Sequence, residues 1–295
     1  MARSRQPAEA GKKPKRKKSF FTIREEFHRN KRAFTVYLIV LVMILVVLVR
    51  NLFSAHPENV FTCLLALLLL LIPSFLKHGF HIKLPTVLES LAYIFVFCAE
   101  ILGEIGNYYQ RFPFWDTMLH TVNGFMFAAF GFCLVDIFNK NKRFRFELSP
   151  AFLAMVAFCF SMTIGVLWEF FEFAADTLLS TDMQKDFFTT AINTVRLPSN
   201  TGEEVAHLRD IAGTTIMMTD GSTVTFAGYL DIGLRDTMKD LFVNFAGALL
   251  FSVIGFIYVK QRGKGHIAKQ FIPVPVEDPA EVSAHAAPSE GEKNV

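Results

Sequence analysis

Apolar residues in this chain fall into six long blocks, near 33–54, 59–77, 85–105, 116–139, 151–178 and 236–259. Within each block the hydrophobic positions run on without alternation, which excludes barrel strands and predicts helices. At about 1.5 Å per residue, each block is long enough to cross a hydrocarbon layer of about 30 Å. The pattern predicts an all-α membrane protein with six transmembrane helices. Short polar stretches separate the blocks, except for one long segment at 179–235.

Composition agrees: 52% of the 295 residues are hydrophobic, 19% are charged, and there are 33 phenylalanines. An ordinary soluble domain is less apolar. The net charge of +3 hides an asymmetry that sets orientation. Arg3, Arg5, Lys12, Lys13, Lys15, Arg16, Lys17, Lys18, Arg24, Arg29, Lys31 and Arg32 all precede the first span. Beside a transmembrane helix, such a block reads as a cytoplasmic retention signal, and nucleic acid is not expected as a partner. It lacks a short apolar core with a cleavage site, so the first span is expected to remain as an anchor. Lys77 and Lys83 lie in the second loop, Lys140, Lys142, Arg143 and Arg145 in the fourth, and Lys260, Arg262 and Lys264 open the tail. The first and third loops hold only Arg50 and Arg111. The expected topology is N-in/C-in in the plasma membrane. Residues 1–32 form a basic cytoplasmic tail, 33–260 the membrane domain with 179–235 as an extracytoplasmic loop, and 261–295 a disordered cytoplasmic tail.

On that frame, ionisable residues gather at one depth. The third span ends with Glu100 and Glu104, and the fourth begins with Asp116, His120 and Asn123. The fifth ends with Glu169, Glu172 and Asp176, and the sixth begins with Asp236, Asp240 and Asn244. Spacings of three, four and seven residues put each set on one helical face. A charge at the helix centre costs about 2.5–3.5 kcal/mol by insertion scales, so these faces are expected to point at one another rather than at lipid. Glu100, Asp116, His120, Glu169, Glu172, Asp240 and Asn244 are thus expected to enclose one pocket in the outer half of the bilayer.

So many carboxylates either share protons, pair with cations or hold a metal. Asp116, His120, Glu169, Glu172, Asp176, Asp236 and Asp240 are the candidate ligands for a divalent ion such as Mg²⁺, Mn²⁺, Fe²⁺ or Zn²⁺. Arg111, Arg235 and Lys239 leave a purely ion-paired cluster open. The candidate catalytic set is Asp116, His120, Glu169, Glu172, Asp240 and Asn244. Asn244 also fits a role as hydrogen-bonding glue between helices, with Gly247 permitting close packing. Trp115 and Trp168 are expected as interfacial anchors, and Glu89, at the far end of the third span, as a solvated side chain. Cys63, Cys98, Cys133 and Cys159 are scattered singly, without zinc or disulfide spacing. In the long loop, TTIMMTDGSTVTF carries a hairpin turn signal at Asp220-Gly221. Its ends, Asp176 and Asp236, place the loop over or beside the pocket, as a lid or a plain connector.

The segments FPFWDTMLHTVNGF, FSMTIGVLWEFFEFAAD, STDMQKD and LDIGLRDTMKDLFVNFAGA together resemble the YjdF-like family of bacterial membrane proteins. The resemblance covers about 100–255. A weaker similarity is to VanZ-like membrane proteins, associated with glycopeptide resistance. Their Asp-x-x-x-His, Glu-x-x-Gln and Asp-x-x-x-Asn-x-x-Gly pattern is matched by Asp116/His120, Glu169/Glu172 and Asp240/Asn244/Gly247, with Glu172 in place of the Gln. This similarity implies a shared arrangement of site residues.

Three functions remain open on sequence. One is a metal-assisted enzyme acting on a lipid or lipid-linked envelope precursor. The second is a ligand- or metal-binding sensor or assembly protein. The third is an ion- or proton-coupled transporter, for which the inner halves of the last three spans offer few polar footholds beyond Ser161, Thr163 and Ser252.

Overall fold

The computed structural model describes residues 30–54, 56–79, 82–140, 148–197, 204–261, 268–272 and 274–275. The basic tail before Asn30, the loop charges Lys142, Arg143 and Arg145, and most of the C-terminal tail lie outside the described residues. Eight α-helices carry the described chain: α1 Lys31–Phe53, α2 Pro57–Leu69, α3 Ile72–Gly79, α4 Thr86–Val96, α5 Tyr108–Arg111, α6 Trp115–Lys140, α7 Pro150–Leu179 and α8 Leu234–Lys260. They supply six segments long and apolar enough to cross a membrane. Their outward faces carry large apolar side chains such as Val46, Leu68, Phe170 and Phe242, each more than half exposed. Lipid is the solvent that such surfaces require.

Two of the six segments are not straight α-helices. The second breaks at Leu70–Leu71, between α2 and α3. Pro73 explains the break: it has no N–H to offer the Leu69 carbonyl, so the helical ladder is interrupted there. In the third, α4 passes into a π-helix over Phe97–Ile105. Its wider hydrogen-bonding is visible at the end, where Gly106 N–H donates to the Ile101 carbonyl at 2.9 Å. Glu100 and Glu104 both sit in this stretch.

The helices bury two apolar cores. Ile44, Cys63, Ala66, Leu70, Tyr93 and Val96 join α1 and α2 to the third segment. Ala128, Ala129, Phe132, Cys133, Leu153, Ala157, Ala248 and Phe251 join α6, α7 and α8. In the second group, α6 and α8 touch backbone to backbone. A Cβ on Gly124 would lie 2.1 Å from the Asn244 carbonyl oxygen, and one on Gly247 1.9 Å from that of Thr121. Only glycine allows that approach.

Between α7 and α8 the described residues form three antiparallel ladders of two strands each, more structure than a plain loop. β2 Phe187–Thr189 pairs with β7 Tyr229–Asp231 and encloses the other two, β3 Ile192–Thr194 with β4 Ala206–Leu208 and β5 Thr214–Met217 with β6 Thr223–Phe226. The β5–β6 turn falls at Asp220-Gly221, where Asp220 Oδ1 accepts the Ser222 N–H at 2.8 Å and its hydroxyl at 2.7 Å. A further ladder joins β1 Ile82–Lys83 to β8 Val274–Pro275.

Glu89, expected to be solvated, is instead buried. It accepts the Asn30 amide at 3.2 Å and the Tyr93 hydroxyl at 3.1 Å. Donors from the start of α1 and from one turn along α4 reach it because the two helices pack together at this end.

Candidate functional site

The π-helix, α6, α7 and α8 converge at the end of the bundle that carries the β-ladders. Asp116 and His120, one turn apart on α6, meet Asp240 of α8. His120 Nε2 lies 3.4 Å from Asp116 Oδ1 and 3.6 Å from Asp240 Oδ2. One ligand-type atom from each of the three falls within 4.8 Å of the others. Lys239 closes the group from the other side, its Nζ 2.6 Å from Asp116 Oδ2 and 3.9 Å from Asp240 Oδ1. The glycine seam sets this meeting. Asp116 and Asp240 stand about two turns above Gly124 and Gly247, where α6 and α8 are pressed together.

Of the wider expected ligand set, Glu169, Glu172, Asp176 and Asp236 are not members of this three-residue group. Glu172 Oε1 accepts the Trp168 indole N–H at 2.9 Å. Glu169 has Thr237 and Gln184 as hydrogen-bonding neighbours, while its Oε2 has no partner. Asp176 Oδ1 accepts the Thr181 hydroxyl and the Met183 N–H, and its Oδ2 accepts the Gln184 N–H at 2.8 Å. Asp236 Oδ2 accepts the Lys185 N–H at 2.8 Å. The last two carboxylates therefore fasten residues 181–185 across the ends of α7 and α8. Lys185 Nζ then reaches Glu104 Oε2 at 3.2 Å, and Gln184 Nε2 reaches Thr237 Oγ1 at 2.6 Å.

Asn244 lies one turn below Asp240. Its Oδ1 accepts the Asn123 amide at 3.1 Å, which ties α8 to α6. Both tryptophans bond within the bundle: Trp115 Nε1 donates to the Cys98 carbonyl in the π-helix at 3.2 Å, and Trp168 Nε1 donates to Glu172.

Sequence reasoning passed over Tyr109, Gln184 and Lys185. Tyr109 follows the π-helix, and its hydroxyl pKa is pushed well above the ordinary value, first by burial and then by the charges of Glu104, Glu100, Asp116 and Glu172. No helical spacing marks it, because Asn107, with φ of 57°, ends the helical register before it. The quoted segment STDMQKD held the signal for the other two.

Below the polar group lies a cavity of about 470 Å³ between the two cores. Leu65, Leu69, Phe95, Met126 and Phe130 are among its apolar walls, and Glu100, His120, Asn123 and Trp168 form its polar part. Leu68 and Leu167, also in the wall, are more than half exposed on the outer surface of the bundle. The wall on α6 runs from Leu119 to Phe130, about 16 Å along the helix axis. Three buried oxygens around this region, Glu100 Oε2, Glu169 Oε2 and Asp240 Oδ1, have no hydrogen-bond partner.

The family described as "Predicted membrane protein (DUF2238)" matches residues 35–261, which include every site residue above. The chain belongs to that family. DUF2238 is the YjdF family, in keeping with the YjdF-like segments. An uncharacterized protein of Thermotoga maritima is 32% identical over 99 residues, 34% of this DUF2238 chain and 49% of the relative. The match thus spans about half the length of that relative. No solved structure matches.

Proposed function

We propose that this DUF2238 protein is an enzyme that acts on the polar head of a lipid or lipid-linked envelope precursor. The cavity holds the apolar chain, and Asp116, His120 and Asp240 act on the head. The observation that carries this reading is the continuity of the two: His120 belongs both to the acidic group and to the wall of an apolar cavity. A pocket with mostly apolar walls and a few convergent polar groups suits an amphiphile. Exposed Leu68 and Leu167 mark where a chain enters sideways from the bilayer. The strap of residues 181–185 covers the polar end from the other direction.

In this reading Asp116, His120 and Asp240 together face the reacting head, and Lys239 balances the charge of the two aspartates. Glu169 and Glu172 supply further acceptors at the same end of the bundle, and Asn244 positions α6 against α8 through Asn123. With the N-terminal tail in the cytoplasm, the site faces the outer half of the plasma membrane. A transport path has less support. Phe132 and Phe251, both buried, fill the space between α6 and α8 below the site.

The test uses purified full-length protein and its Ala99→Phe and Asp240→Asn variants, with bound lipids identified by mass spectrometry. Ala99 lines the cavity, so Ala99→Phe is expected to lose the co-purifying amphiphile, whereas Asp240→Asn keeps it. Incubation with an envelope lipid extract should consume one component with wild type only. A bound lipid that wild type leaves unchanged would overturn the enzyme reading in favour of a binding protein. Absence of any bound amphiphile would overturn the cavity's assignment.

A further inference from the structure

His120 Nε2 stands at ion-binding rather than hydrogen-bonding distance from both aspartates, and one ligand atom from each of the three residues falls within 4.8 Å of the others. The separations of His120 Nε2 from Asp116 Oδ1 and Asp240 Oδ2, 3.4 and 3.6 Å, exceed the roughly 2.7–3.2 Å of an N–H···O hydrogen bond. Ligands that each lie about 2.1 Å from a tetrahedral metal ion stand about 3.4 Å apart. The outer oxygens of the same carboxylates are the ones that face Lys239, at 2.6 Å for Asp116 and 3.9 Å for Asp240. The lysine therefore steadies the pair without standing between the three ligand atoms.

A second observation is independent of this spacing. Asp240 is 2% exposed and its Oδ1 has no hydrogen-bond partner; Glu169, 4% exposed, leaves Oε2 equally unmatched. Buried acceptors without donors are costly unless a cation or a donor arrives. One ammonium between two aspartates leaves the group short of positive charge when both are ionised, and neighbouring Glu169, Glu172 and Asp236 deepen the deficit.

We infer that Asp116, His120 and Asp240 bind a divalent first-row metal ion, with Zn²⁺ fitting the spacing best. Imidazole with carboxylates selects such ions over Ca²⁺. Three protein ligands leave a tetrahedral ion one open position, the arrangement that catalytic zinc sites use to polarise a substrate oxygen or activate water. The inference deepens the enzyme reading above and, for the ion's catalytic role, rests on it; the metal site itself rests on the geometry.

The experiment takes tag-free, full-length protein in detergent, stripped with chelator, reloaded with Zn²⁺ and dialysed. Metal per chain is measured by plasma mass spectrometry and affinity by competition with a chromophoric chelator. Wild type is expected to retain one Zn²⁺ per chain. Asp240→Asn, nearly isosteric, and His120→Gln should lose it, and each is checked for folding by size exclusion. Lys239→Met should weaken binding by about 10–100-fold, the effect of removing a partner that orients a ligand. Folded wild type that retains no Zn²⁺ would overturn the site, as would unchanged affinity in both Asp240→Asn and His120→Gln. Normal Zn²⁺ binding without any lipid conversion would support the site while overturning the enzyme reading.

Discussion

Asp176 receives three donors on two oxygens: the Thr181 hydroxyl and the N–H groups of Met183 and Gln184. Backbone donors of that kind have nowhere else to go once the strap lies against the helix ends, so the carboxylate is an anchor. Asp176→Ala should therefore free the strap. It should cost about 1–3 kcal/mol for the donors left unmatched and speed hydrogen exchange at residues 181–185, while the Zn²⁺ binding proposed for Asp116, His120 and Asp240 stays unchanged. Metal loss in a folded Asp176→Ala protein would return this residue to the ligand set. Residue type and spacing could not separate Asp176 from Asp240, because both read as carboxylates on the inward face of an outer helix turn. What separates them is the partner. Asp176 faces its own following loop, whereas Asp240 faces α6, far away in sequence.

The α6–α8 contact is where helix packing becomes site geometry. With a Cβ at Gly247 meeting the Thr121 oxygen at 1.9 Å and one at Gly124 meeting the Asn244 oxygen at 2.1 Å, neither substitution fits unless the helices part. Gly247→Ala and Gly124→Ala should each destabilise the protein by about 1–3 kcal/mol or more, measured as thermal unfolding in detergent. Each should also weaken the metal binding proposed above, because Asp116 and Asp240 are carried on the helices being pushed apart. A Gly247→Ala protein with wild-type unfolding and metal affinity would show that this seam does not hold the site. The existence of these two helices follows from hydrophobic run length. So does the break in the second segment, in hindsight, from Pro73. The π-helix of Phe97–Ile105 does not, since no residue in FCAEILGEI demands the wider turn. Trp115, pointing at the Cys98 carbonyl, is a tertiary contact that takes up a π-helical acceptor.

At the scale of the whole molecule, the polar groups gather at the ladder-bearing end, and the opposite half of α6, α7 and α8 is filled by Phe132, Phe251, Leu153 and small residues. A reporter fused after Lys142 should read cytoplasmic and one inserted at Asp220 extracytoplasmic, measured with paired phosphatase and fluorescent-protein fusions. The reverse result would put the site in the inner half and remove envelope precursors from its reach. Run length and polar depth by themselves determined six apolar segments and the convergence of four of them on one polar layer, because lipid tolerates neither unpaired backbone nor unpaired charge. They also put Asp116, His120 and Asp240 among the candidate residues, and the structure brings these three together. Only the tertiary structure decided which carboxylates meet the histidine and which tie down the strap. It also decided that Glu89 is buried, that the tryptophans bond within the bundle, and that an apolar cavity opens beside His120. The reason is physical: hydrophobic periodicity records which way a side chain faces, whereas its partner depends on how closely glycine, proline and the π-helix let distant segments approach.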